Sequence, residues 1–175
     1  MTDAPASAEP HDHTYATSLR WSGSTGLGYD AYVRAHEVSA APATEALRLS
    51  GDPSFGGDPA LLNPEQLLVA AASSCQLLSF LAVAARARLD VVSYLDEATA
   101  VMPAEPTPMS ISRIDLHATI TLADTERPRP TQERLAHLVE VAHRECFIAN
   151  SLRTEVVAVA TFRWAEQVMG GAEDG

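Results

Sequence analysis

Apolar and polar positions change period several times along this 175-residue chain, and each change marks an element. From Thr14 to Trp21, "TYATSLRW", Tyr15, Thr17, Leu19 and Trp21 alternate with smaller or charged residues. Period two predicts a strand. "SGSTGLG" follows as a turn, and "YDAYVRAHEVSA" and "ALRLS" read as further strands. "GDPSFGGDP" carries the Gly, Pro and Asp of a loop. The period then becomes helical. "NPEQLLVAAASSCQLLSFLAVAA" opens with Asn63 as N-cap, Pro64 at the first helical position and Glu65 near the positive helix end. This predicts a helix from Asn63 to about Leu89. Its apolar residues occupy nearly every face, so it is expected to be buried.

Beyond it, "VVSYLDEATAVM" predicts a strand that "PAEPTP" ends. In "SISRIDLHATITL", Ile114, Leu116, Ala118, Ile120 and Leu122 alternate with polar residues, as in a strand with one wet face. "ADTERPRP" is a loop. "TQERLAHLVEVAHREC" predicts a second helix from Thr131 to Cys146, and "TEVVAVATFRW" a last strand. Strands, helix, strand pair, helix, strand, with neither a repeating βαβ unit nor a phosphate-binding glycine loop, is an α+β order. One domain is expected over residues 14–166, with a disordered tail at 1–13 and a loose end at 167–175.

Composition narrows the chemistry. A net charge of −11 argues against nucleic acid or an anionic membrane as partner. All twelve basic residues are Arg. Without Lys, Schiff-base and pyridoxal-phosphate chemistry is excluded, and no cofactor is expected. The long apolar stretch could span a bilayer by length, but Ser73, Ser74, Gln76 and Ser79 interrupt it, as in a buried helix of a soluble protein. The N-terminus lacks a basic start and an apolar core, so no secretory signal is read and the cytoplasm is the expected compartment. Structural disulfides are rare there, so Cys75 and Cys146 are expected as free or redox-active thiols. His11 and His13 read as part of a solvated tail, and no metal is expected.

Four readings of the thiols compete: two buried apolar side chains, a zinc site, a papain-like triad, or an attacking and a resolving thiol. His143 and Cys146 share a helix face, but no second ligand pair accompanies them. His143, Cys146 and Asn150 lie too close in sequence for a triad assembled from distant segments. "NPEQLLVAAASSC" followed by "HRECFIANSLR" resembles the OsmC/Ohr family of osmotically inducible and organic-hydroperoxide-resistance proteins. The carriers are the Asn-Pro-Glu start, Cys75 ten residues after Glu65, and Cys146 followed by Asn150 and Ser151. Phe147 stands where the best-known branches often have Pro, and "W.G..G.G" with "Y..Y.R.H" is similar to a less characterised branch.

The resemblance implies an intertwined homodimer, with two long central helices flanked by curved antiparallel sheets. It implies a thiol peroxidase acting on organic hydroperoxides, with Cys75 attacking, Cys146 resolving, Glu65 and an Arg assisting, and a dithiol reductant of lipoyl type. Arg34 is the chosen Arg, with Arg20 second. The alternative is a dimeric, non-catalytic binder of an apolar small ligand.

Elementary chemistry constrains this set. The attacking species is a thiolate, so Cys75, far from its helix start, needs a cation, and that cation must be an Arg. Ten helical residues rise about 15 Å, so Glu65 and Cys75 of one straight helix cannot touch one guanidinium. Either the Asn63–Glu65 end folds back, or Glu65 comes from a second subunit. Cys146, near a helix C-terminus, is expected to be the poorer thiolate.

Overall fold

A computed structural model describes residues 12–165. The expectations for the tails fall largely outside these residues. The chain forms two compact units, Met1–Pro64 and Glu65–Gly175.

In the first unit, β1 (Ser18–Arg20), β2 (His36–Ser39) and β3 (Leu47–Leu49) form an antiparallel sheet in that order. A single 3-10 turn, Pro53–Phe55, follows β3. Asp52 caps it, accepting from the Ser54 N–H at 2.7 Å, and Gly56 ends it at φ 79°, the left-handed region that suits glycine. The loop closes tightly: a Cβ on Gly57 would meet the Gly51 carbonyl oxygen at 1.7 Å. Three strand positions in the sequence therefore hold, but each strand is shorter than its pattern.

The second unit holds α1 (Pro64–Arg86), β4 (Val91–Asp96), β5 (Thr99–Val101), β6 (Arg113–Leu122), α2 (Gln132–Arg144), α3 (Phe147–Ser151) and β7 (Glu155–Trp164). The predicted strand over 91–102 is present but broken at Glu97–Ala98. Both parts pair antiparallel with β6, Asp96 opposite Ala118 and Thr99 opposite Asp115. On the other side β7 pairs with β6 along its whole length, and it runs parallel. The antiparallel expectation thus needs correction for this edge. The connection from β6 to β7 passes through two helices, and a crossover of that length returns a strand in the same direction.

β6 organises the core. Its inward residues Ile114, Leu116, Ala118, Ile120 and Leu122 are all buried. Phe80, Val83 and Ala84 of α1 join Ile120 and Leu122 with Leu135, Leu138, Val139 and Ala142 of α2. Ala72 joins Ile114 and Leu116 in a second cluster, flanked by Ile148 and Leu152.

Helix ends explain where the sequence boundaries slipped. α1 stops at Arg86 rather than near Leu89. Arg88 takes a left-handed φ of 59°, and Leu89 N–H returns to the Ala84 carbonyl at 2.9 Å while Arg88 N–H returns to Ala85. This is a Schellman closure, with Arg where glycine is usual. α2 starts as read, Thr131 Oγ1 accepting from Arg134 N–H at 3.2 Å. It ends at Arg144, two residues before the predicted end at Cys146, and the short α3 that follows was not predicted.

The expectation that α1 is buried also needs correction. Within one chain only Ala72, Gln76, Phe80, Val83 and Ala84 are buried along it. Leu78 is 64% exposed, and it lies on an uncovered stripe with Ala70, Ser74, Leu81, Ala82 and Ala85. By length and composition alone α1 would also suffice to cross a membrane.

Phe80→Ala should lower unfolding free energy by about 3–5 kcal/mol, through lost burial and a cavity. Thr131→Ala should cost about 1 kcal/mol, through loss of a cap. Urea titration checks both, and a Phe80 effect no larger than the cap effect would refute this core.

Candidate active site at two thiols

Two chain segments bring Cys75 and Cys146 together. Cys75 faces out of the middle of α1 and is half-buried, whereas Cys146 has 0% exposure. Both are free thiols, and the adjacent backbone N–H groups of Ile148 and Ala149 point to Cys75 Sγ and Cys146 Sγ respectively, which makes the two sulfurs neighbours. Spacing of 71 residues in the sequence concealed this; packing of α1 against the α2–α3 connection creates it.

The break between α2 and α3 shapes the pair. Cys146 is the N-cap of α3, and its Sγ accepts from the Ala149 N–H at 3.5 Å. The next free donor of the same turn, Ile148 N–H, points to Cys75 Sγ at 3.4 Å. The first turn of a helix leaves its N–H groups unpaired, and here two of them meet the two sulfurs. Sequence reading missed the Ile148 contact, because it took Cys146 for the end of one long helix. The available signal was "ECFIANS": Asn150 and Ser151 soon after the cysteine suit a new short turn.

Cys146 is electrically disfavoured as a thiolate. Burial pushes the Cys146 thiol up to about 11, the Ala149 N–H pulls it partly back, and the neighbouring Cys75 raises it again. Cys146 is therefore the reluctant thiolate, as expected, but for another reason. It caps a helix start rather than sitting under a helix C-terminus, and desolvation is the main cause.

A buried polar contact joins α1 to β4. Ser73, two residues before Cys75, donates through Oγ to Asp96 Oδ2 at 2.5 Å. The other carboxyl oxygen of Asp96 is buried without a partner, as is Oε1 of Gln76, a residue only 2% exposed. Tyr94, two residues before Asp96 on β4, packs its ring against Phe80 at 6.2 Å. Burial first, then the charges of Asp96 and Cys146, push the Tyr94 hydroxyl up to about 12. Sequence analysis assigned none of these residues a role. An Asp on the same strand register as an inward tyrosine was the readable sign.

Glu65 stands in the first turn of α1, on the same helix as Cys75, with Oε2 buried and unpartnered. Because helical geometry already begins at Pro64, the option of a folded-back Glu65 is removed. Arg34 belongs to the first unit. Its guanidinium lies 4.6 Å from the Tyr29 ring and 4.2 Å from the Tyr32 ring, and donates to the carbonyls of Tyr29, Tyr32 and Gly56. Gly56 leaves room for it, since a Cβ there would sit 2.8 Å from Arg34 Cζ. Arg20 is exposed on β1, opposite Glu37. Asn150 Nδ2 donates to the Arg144 carbonyl at 2.9 Å, a helix-joining role rather than that of a triad member. His143 contributes its carbonyl to the Cys146 N–H at 3.1 Å.

Comparison with known proteins identifies the family and the fold. A family model described as OsmC-like protein matches residues 56–160, which include both cysteines. An OsmC-like protein of unknown function from Vibrio cholerae superposes with a TM-score of 0.77 at 28% identity, covering 86% of this chain and 100% of that one. An OsmC-like protein from Mycoplasma pneumoniae gives 0.66 at 14% identity, covering 87% and 99%. A Legionella pneumophila structure described as an organic hydroperoxide resistance protein gives 0.62 at 20% identity, covering 87% and 98%. No curated protein sequence matches the chain. The α+β fold and the family match over residues 56–160 identify the chain as a member of the OsmC-like protein family.

Proposed function

We propose that the protein is a cytoplasmic thiol peroxidase for organic hydroperoxides, working as a homodimer through Cys75 and Cys146. The observation that carries this reading is a pair of free thiols of unequal exposure, held by adjacent N–H groups of one helix turn. Thiolate Cys75 attacks the terminal oxygen of ROOH; the O–O bond breaks, ROH leaves with a proton, and Cys75 becomes a sulfenic acid. Cys146 then displaces that oxygen as water and forms the disulfide. A dithiol, of lipoyl type by family analogy, returns both cysteines to thiols. The half-exposed sulfur meets the peroxide, and the buried one waits, protonated, for the sulfenic acid.

In this reading Arg34 supplies the cation that favours the thiolate and the leaving oxygen, and Glu65 orients it. Since α1 is helical from Pro64, Glu65 would serve a guanidinium associated with a different copy's Cys75. The uncovered stripe around Leu78 gives a second copy an apolar surface to cover.

Cys75→Ser should consume no peroxide even in a first turnover. Cys146→Ser should consume about one equivalent and leave Cys75 as sulfenic acid prone to further oxidation. Single-turnover assays with an organic hydroperoxide, followed by mass spectrometry of each cysteine, check this. The opposite pattern would reverse the roles, and an unreactive wild type would favour a non-catalytic binder of apolar ligands. Sedimentation at micromolar concentration should find a dimer, with Leu78→Arg shifting it to smaller species. A stable wild-type monomer would remove the interface from the account. Arg34→Met should move the pH profile of Cys75 alkylation upward; an unchanged profile would redirect the same test to Arg20.

A further inference from the structure

Where α1 closes, an arginine stands in a position that backbone chemistry gives to glycine. Arg88 takes a left-handed φ of 59°. In that region the Cβ of an L-residue crowds the following carbonyl, so glycine is the usual occupant. Strain of this kind collects at ligand sites. A cation also suits the negative end of a helix, but Arg86 already stands in the last turn, paired with Glu145. The Arg88 guanidinium has no hydrogen bond or ion pair among the described residues.

Arg88 lines a cavity of about 440 Å³, formed where the end of α1 meets the loop after β6 and the end of β7. That volume is in the range of small-molecule sites. Three of the chain's twelve arginines, Arg88, Arg127 and Arg129, line this one cavity of a protein with net charge −11. They differ in commitment. Arg129 is fixed: it donates through Nε and Nη2 to Asp124 at 3.0 and 2.6 Å, and its Cζ lies 4.6 Å from the centre of the Trp164 ring. Asp124 therefore answers its charge. Arg127 makes one bond, from Nη1 to the Arg88 carbonyl at 3.4 Å, which sets its guanidinium beside the residue whose own is free. Leu89, Leu122 and Trp164 supply apolar wall. Leu122 and Trp164 are partners across β6 and β7, and the Ala165 N–H donates to the Leu122 carbonyl at 2.8 Å, so that wall is fixed. The exposed Asp90 adds one carboxylate to the lining.

We propose that this cavity binds a small monocarboxylate with an apolar body, its carboxylate held by Arg88 and Arg127 and its body against Leu89 and Trp164. Guanidinium groups present forks of N–H donors that match the two oxygens of a carboxylate. Arg88 and Arg127 set against Asp90 leave one positive charge, which suits a single carboxylate and disfavours a doubly charged phosphate. The apolar wall gives the rest of such a ligand a surface that a bare inorganic anion would not use. None of the lining residues is a thiol, so the proposal stands whether or not the peroxidase reading does.

Isothermal titration calorimetry on the full chain tests it, with 1-naphthylacetate as probe and the uncharged 1-naphthylacetamide as its control. Wild type should bind the acid saturably with a Kd below about 1 mM. It should bind the amide about tenfold more weakly or worse, on the scale of charge-assisted hydrogen bonds. An equal concentration of inorganic phosphate should not displace the acid. Arg88→Gly is the decisive variant. Glycine fits the left-handed position, so the variant should melt within about 3 °C of wild type, and yet it should bind the acid about tenfold more weakly. Arg127→Gln should weaken binding similarly, again with little change in melting temperature. No saturable binding to wild type, equal affinity for acid and amide, or displacement by phosphate would each overturn the proposal. So would unchanged affinity in either variant. Affinity lost only together with a large fall in melting temperature would also overturn it, because the arginines would then be holding the loop rather than a ligand.

Discussion

The site depends on where one helix stops. α2 ends at Arg144, and the chain restarts a helix with Cys146 as its cap. That break leaves two backbone N–H groups free at the new first turn, and they go to the sulfurs of Cys146 and Cys75. Had the helix continued, those donors would have been spent on the carbonyls one turn back. The same break buries Cys146 while Cys75, on α1, keeps partial access to solvent. Burial then raises the pKa of Cys146, the thiol that is shut away from solvent.

β6 supplies the rigid base for this. Its five buried side chains hold α1 and α2 on one face, so the position of Cys75 is fixed by Ala72 and Phe80 packing on either side of it along the helix. Loosening that packing would separate the sulfurs before it unfolded the sheet. The uncovered side of α1 is a different matter: an apolar stripe with Leu78 at its centre stabilises nothing within one chain. Its cost in water is the physical argument for a second copy.

Much of this was legible in the residues. β6 followed from clean alternation, β7 was read as a last strand, and the start of α2 followed from Thr131. The start of α1 was readable from Asn63 and Pro64, but its end was not, because Arg88 rather than glycine takes the left-handed closing position. The parallel direction of β7 was hidden too: alternation fixes which face a residue takes and says nothing of strand direction. At the site, the cysteines and Glu65 stood out as residue types at a family spacing. Ser73, Gln76, Tyr94 and Asp96 did not, because their connection runs through space from helix to strand. The cause of the high Cys146 ionisation also lay beyond local reading, since it comes from burial by distant elements rather than from the nearest helix end.

The central claim is that Cys75 and Cys146 form one redox pair. The most direct measurement treats the reduced protein with one equivalent of an organic hydroperoxide and maps its peptides without reduction. The account predicts loss of both free thiols and a single intrachain peptide pair joining Cys75 to Cys146. Recovery of both cysteines as unmodified thiols, or crosslinks only between different chains, would contradict it.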